Sequence, residues 1–394
     1  MYNFDERIER KGTNSLKLEG YQEYIFGKEK VNIPCDESDL IHLWVADMDF
    51  AVADCILDSI KERIDQKILG YTLIYDNKYK EAFADWCRNM YDWEVNPGQV
   101  YISPGVVHAL DDLVEIITKA DEKVLINTPA YGPFYGAAKK HRRECIYSPL
   151  VCNDGHFEMD WDDFEEKAKA AKIFIFCNPH NPTGRMWTEE ELERLAKIVR
   201  KNNLWVISDE IHCDLVRSGS KHIPLSKVME DYERIVTCMA PSKTFNLAGL
   251  HMANIIIKKA AVAKKWQKKN WESINPLSLA GAQAAYEKGY DWLIELRKYL
   301  DGNFEMMKGY FAENLPEAVF EIPEATYLAW IDLSAYFEKN ENIAKFFTEK
   351  AGVIVEGAAN FVRDGEGYVR INAACPRDVL KEGLERMVKA IKER

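Results

Sequence analysis

The chain has no CxxC pair, no apolar run near the roughly 20 residues a membrane-spanning helix needs, and no excess of basic charge. Each absence removes a class of function. Its nine cysteines are odd in number and scattered, so a zinc ribbon, a dithiol redox pair or a disulfide framework is not expected, and neither is a metal site. Asp and Glu total 64 against 52 Lys and Arg, a formal net charge of −12, which argues against nucleic acid or an anionic membrane as a partner. The N-terminus, MYNFDERIERKG, lacks the apolar core of a signal peptide. No GxGxxG follows the first candidate strand, so a dinucleotide-binding reading fails. What remains is a reduced, cytoplasmic, enzyme-sized protein, and 394 residues suffice for one large core or two unequal domains.

Between about residues 99 and 257, short apolar runs alternate with helix-like segments. The candidate strands are QVYIS (99–103), KVLIN (123–127), KIFIF (172–176), LWVIS (204–208), RIVTCM (234–239) and ANIII (253–257). The clearest intervening helix starts at Thr188, where Thr188 and Glu191 form a capping box and Leu192, Leu195, Ile198 and Val199 recur at helical spacing. This alternation predicts an α/β fold with a mostly parallel central sheet flanked by helices. Ligands of such sheets bind beyond the carboxyl ends of the strands. From about residue 286 the pattern changes to a long amphipathic helix and two strand-like runs, ATYLAWIDL and GYVRINAA. The expected division is a large domain over 46–285 and a smaller α+β domain built from both chain ends, 1–45 and 286–394.

One lysine stands out. From Val236 to Ile257 the only formally charged residue is Lys243, and an unpaired buried charge is costly unless its pKa shifts or it finds a partner. The loops after five strands read PGVV, TPAYGPF, CNPHNPTG, DEIHCDL and APSKTFN, each with a different chemical group. Val106 and Val107 open a helix whose free amides suit a phosphate. Tyr131 either presents a flat ring or simply packs, and Asn181 either donates to a ligand or holds a turn. Asp209 ends an apolar strand and needs a cation or several donors. One small molecule uses all five loops: pyridoxal 5′-phosphate needs a phosphate cradle, an aromatic lid, a donor to its phenolic oxygen, a carboxylate at its pyridine nitrogen and a lysine at its aldehyde.

The ordered set PGVV, PAYGPF, NPHNPTG, SDEIH, APSKTFN and RINAA resembles the pyridoxal-phosphate-dependent fold-type I, class I/II aminotransferase-like superfamily. The early segment WVADMDF (44–50), with SPGVVHAL, NPHNPTGRMWTEEEL, SDEIHCDL and APSKTFNLAGL, narrows the resemblance to the MalY/PatB-type cystathionine β-lyases (carbon–sulfur lyases). That resemblance implies a large cofactor domain, a small domain from both ends, and a homodimer with active sites at the interface. It implies that Lys243 forms the imine to the cofactor and acts as base, Asp209 pairs with the ring nitrogen, Asn181 donates to the ring oxygen with His212 nearby, and Tyr131 stacks on the ring. Ser242 and the Val106 and Val107 amides would take the phosphate together with Tyr71 of the neighbouring subunit. Arg370 would grip the α-carboxylate, with Tyr131 beside the substrate.

Two positions depart from the transaminase pattern: His251 stands where many transaminases carry an arginine, and Ala240 where they often have serine. The implied reaction is β-elimination of L-cystathionine or a related S-substituted cysteine to a thiol (homocysteine), pyruvate and ammonia, a step in sulfur amino-acid metabolism and methionine biosynthesis. An aminotransferase shares every cofactor residue and stays open as the alternative. A regulatory binding protein on the same fold is a third.

Overall fold

The computed structural model describes residues 2–271 and 273–394. Six apolar runs become the strands expected of them, because residues buried on both faces of a sheet must be apolar throughout. With two more, they form one eight-stranded sheet: β1 (Val100–Ser103), β2 (Val124–Thr128), β3 (Cys145–Asn153), β4 (His156–Met159), β5 (Ile173–Cys177), β6 (Trp205–Asp209), β7 (Ile235–Met239) and β8 (Ala253–Ile257). The spatial order is β1-β8-β7-β6-β5-β2-β3-β4. Strands β3, β2, β5, β6 and β7 run parallel. β8 is antiparallel to both neighbours, and β4 to β3. Every residue of β2, β5, β6, β7 and β8 is buried.

Successive side chains along these strands face opposite layers. Ile126, Ile175, Ile207 and Val236 pack against Ala109, Leu110 and Leu113 of α1 (Val106–Ile117). Their neighbours Leu125, Phe174, Val206 and Ile235 pack against Leu192, Leu195 and Val199 of α2 (Glu189–Lys201). The capping box of α2 is present: Thr188 Oγ1 accepts from the Glu191 amide at 3.3 Å, and Glu191 accepts from the Thr188 amide at 2.8 Å.

Two features differ from a simple βα alternation. The β3–β4 hairpin lies at a sheet edge, where exposure breaks up the apolar run. Its Asp154–Gly155 turn, with φ of 49° and 89°, is the two-residue hairpin signal. The 13 residues between β7 and β8 hold only short turns, Pro241–Thr244 and Ala248–Leu250; without a full crossover helix the chain doubles back antiparallel.

The C-terminal region adds α3 (Tyr290–Asn314), β9 (Leu328–Asp332), α4 (Ile343–Ala351), β10 (Glu356–Gly357), β11 (Tyr368–Asn372) and α5 (Arg377–Lys392). Trp292, Leu296, Leu300, Phe304, Met307 and Phe311 line the buried stripe of α3 at helical spacing. The strands form an antiparallel sheet in the order β9-β11-β10. Chain ends meet here: Ile41–His42 pair in parallel with Val353–Ile354, Arg7 bridges Asp378 at 2.8 Å, and Lys345 bridges Glu29 at 2.5 Å. Ala130–Tyr131 pairs with Phe361–Val362, fixing this part against the carboxyl ends of the large sheet. Among the described residues no helix is long and apolar enough to cross a membrane.

Candidate active site

The loops beyond the carboxyl ends of β1, β2, β5, β6 and β7 converge on one cavity of about 370 Å³. Val106, Val107, Tyr131, Asn181, Asp209, His212, Ser242, Lys243 and Arg370 all line it. Tyr71 does not: it lies outside, 87% exposed, with its ring 5.7 Å from that of Trp271. At one end, α1 begins at Gly105, and its first intrahelical bond is Ala109 N–H to Gly105 O at 3.1 Å. The amides of Val106, Val107 and His108 therefore have no partner within the helix and present a positive dipole end to the cavity.

Asp209 is buried and Lys243 half-buried in this cavity, with opposite formal charges. Burial pushes the Asp209 carboxyl up from 3.8 to about 7, against a backbone hydrogen bond from Ile211 at 3.2 Å. Burial also pulls the Lys243 amine down from 10.5 to about 8, which the nearby Asp47 and Asp209 carboxylates oppose. His212, held down to about 3 by burial, is a neutral imidazole whose Nδ1 is buried without a hydrogen-bond partner among the described residues.

Arg370 sits on β11 opposite Glu356 of β10 and forms a buried ion pair with it. Its Nη1 donates to Asn181 Oδ1 at 3.0 Å and its Nη2 to Trp44 O at 3.1 Å. With its oxygen engaged by Arg370, the Asn181 amide keeps its nitrogen as the end that donates to a ligand.

Segment 44–50 is wired to the site through its backbone. Lys243 Nζ donates to Ala46 O at 2.7 Å, and Tyr327 OH donates to the same oxygen at 3.0 Å. Asn372 Nδ2 donates to Val45 O and Asp47 O, and Asn246 Nδ2 to Met48 O and Phe50 O. Beneath it, the fully buried Lys17 bridges Asp49 at 2.7 Å. Tyr24, Ala46 and Glu356 are not among the site residues expected from the sequence. Tyr24 and Glu356 carry side chains into the cavity wall, whereas Ala46 acts through a carbonyl that no side-chain pattern reveals. His251 lines the cavity, and Ala240 caps the lysine turn from a buried position, offering no hydroxyl.

The donor set fits pyridoxal 5′-phosphate: free helix amides and Ser242 for the phosphate, Tyr131 for the ring face, Asn181 and His212 for the ring oxygen, Asp209 for the nitrogen and Lys243 for the aldehyde.

Known proteins are similar to this chain over its whole length. The model of the family described as aminotransferase class I and II matches residues 38–387. The cystathionine β-lyase PatB of Bacillus subtilis is 38% identical over 99% of this chain and 100% of its own, and the protein MalY of Escherichia coli is 30% identical over 100% and 99%. A PLP-bound C–S lyase from Staphylococcus hominis, solved with the inhibitor L-cycloserine, superposes with a TM-score of 0.96 at 47% identity, covering 99% of this chain and 98% of that one. By sequence and by architecture, the chain belongs to the class I and II aminotransferase family, in the group that includes PatB and MalY.

Proposed function

We propose that this protein is a pyridoxal-phosphate-dependent carbon–sulfur β-lyase that converts L-cystathionine or a related S-substituted L-cysteine to a thiol, pyruvate and ammonia. The observation that carries it is Lys243: an amine that lines the cavity with Asp209 and Arg370 and is hydrogen-bonded to Ala46 in segment 44–50. The names of the full-length relatives support the same chemistry.

Pyridoxal phosphate, when bound, supplies the electron sink that makes the Cα–H bond of an amino acid acidic. The chain's residues do the rest. The Val106 and Val107 amides and Ser242 hold the phosphate, Asp209 keeps a proton on the ring nitrogen, and Tyr131 covers the ring. Arg370 orients the α-carboxylate through the guanidinium charge and its remaining Nη1–H. Lys243 takes the Cα proton; its low pKa keeps part of it neutral near pH 7–8.

The same reading includes a homodimer in which Tyr71 reaches the partner's phosphate, and a large domain over 46–285 with the chain ends forming the small one. The free cysteines suit a reducing, cytoplasmic compartment. The test is turnover of L-cystathionine without any added keto acid: pyruvate and free thiol are expected in equal amounts. Turnover that requires a keto acid and releases no pyruvate would transfer the assignment to an aminotransferase.

A further inference from the structure

Arg370 already has a carboxylate partner inside the protein. Cross-strand register places Glu356 directly opposite it, both side chains are at least nine-tenths buried, and the guanidinium lies 5.2 Å over the Phe361 ring. Arg370 offers five N–H donors. Both Nη2 donors are used by Glu356 and Trp44 O, and one Nη1 donor by Asn181. Nε–H is buried with no partner. One Nη1–H is left for a ligand, so a carboxylate that reaches the guanidinium shares its charge with Glu356.

Two carboxylates on one cation in a dry site do not both stay ionised. The charges around them do not resolve the conflict. Lys243 and Asn360 favour ionised Glu356 from two sides, while the neutral phenols of Tyr24 and Tyr131 flank the pair, and Asp209 and Asp47 add negative charge across the cavity. Glu356 is the member enclosed by protein, and burial already raises its pKa.

We propose that Glu356 is a positioning residue of the carboxylate pocket: it holds the Arg370 guanidinium in place and couples binding of a substrate carboxylate to uptake of one proton. This rests on Arg370 being the carboxylate site of the proposed lyase. The proton comes from solvent and ends on a Glu356 oxygen, and the ligand carboxylate stays ionised. The pair is neutral before binding (arginine cation, glutamate anion), and the trio is neutral after it. A ligand without a carboxylate brings no second anion to Arg370 and takes up no proton, so the uptake is a signature of carboxylate binding.

The probe is 3-(methylthio)propionate, a thioether carboxylate with no amino group to displace Lys243. It is titrated calorimetrically into the cofactor-loaded protein, in buffers of different ionisation heat. Wild type should take up close to one proton per probe at pH 8. Glu356→Gln should take up none and bind about tenfold tighter at that pH, the equivalent of removing a competing anion worth about one pKa unit. Glu356→Ala should also take up none but bind more weakly than Glu356→Gln, since nothing holds the guanidinium. Glu356→Asp should restore the uptake, and it carries the test if the other variants fold poorly. With a thioether substrate, Glu356→Gln should lower KM at pH 8 more than it changes kcat. Equal proton uptake in wild type and Glu356→Gln, or no binding of the probe to either, would overturn the proposal. Glu356-dependent uptake in a protein that releases no pyruvate would support it while overturning the lyase reading.

Discussion

Asp209 and Lys243 titrate in opposite senses, and the window between them is narrow. The folded Asp209 pKa, about 7, lies above its ordinary 3.8. Its stabilising contribution is therefore fully present below about pH 4 and is lost as pH rises through 7. The folded Lys243 pKa, about 8, lies below 10.5. Its contribution is present above the ordinary value and lost as pH falls through 8. Between pH 7 and 8 neither helps, so the cofactor-free protein bears both costs, and a ligand that pairs with Asp209 and Lys243 relieves both. Each tenfold difference in proton affinity corresponds to about 1.4 kcal/mol. Thermal unfolding checks this: cofactor-free Asp209→Asn should melt several degrees above wild type at pH 8, with the gap closing toward pH 5. Pyridoxal phosphate should raise the wild-type Tm more than that of the variant. A gap independent of pH would contradict the assignment. The signal that exposes Lys243 in the sequence, one charge in an apolar stretch, also marks Glu356 in VIVEGAAN. It is legible there on the same physical ground. Nothing comparable marks Ala46, whose contribution is a carbonyl.

Segment 44–50 and the lysine turn act as one element although about 200 residues separate them. Asn246 joins them: its amide nitrogen donates to Met48 O and Phe50 O at 3.1 and 3.2 Å, and its oxygen accepts from the Met48 amide at 3.1 Å. It also sits at φ 59°, in the left-handed region that asparagine tolerates. Asn246→Ala removes three hydrogen bonds and strains the backbone, a combined loss of about 2–4 kcal/mol. Ala46 O should then lose its aim at Lys243. The expected result is a lower Tm together with a lower kcat. Asn246→Gly keeps the backbone conformation, so it should recover part of the Tm and little of kcat; equal recovery of both would mean that the asparagine only serves the fold. Such wiring is invisible to pattern reading, which finds elements through local period. The strands β2, β5, β6, β7 and β8 were legible because two-sided burial makes them continuous apolar runs. The β3–β4 hairpin was not, because edge exposure mixes its residues, and only the Asp154–Gly155 turn announced it.

At the scale of the molecule, the surface around residues 64–75 carries more apolar area than a lone chain needs. Ile64, Ile68, Leu69, Tyr71, Tyr75 and Trp271 are all exposed, and the bridge between Thr72 and Ile274 gathers them beside one another. Patches of this kind mark association surfaces, and two-fold pairing is the commonest way to cover one. Tyr71 lies outside the cavity of its own chain, so in the proposed dimer its hydroxyl serves the site across the interface. Subunit mixing turns this into a count. Tyr71→Phe and Lys243→Ala chains should each be nearly inactive, the first through weak phosphate holding and the second through loss of the base. In a mixed dimer, one site pairs the intact Lys243 with the intact Tyr71 of its partner, while the other site lacks both. Random reassociation of equal amounts makes half the dimers mixed, so roughly a quarter of wild-type activity should return. Recovery near that level requires a shared site. If activity stays at the average of the two parents, Tyr71 serves no neighbouring cavity, and the exposed apolar surface needs another occupant.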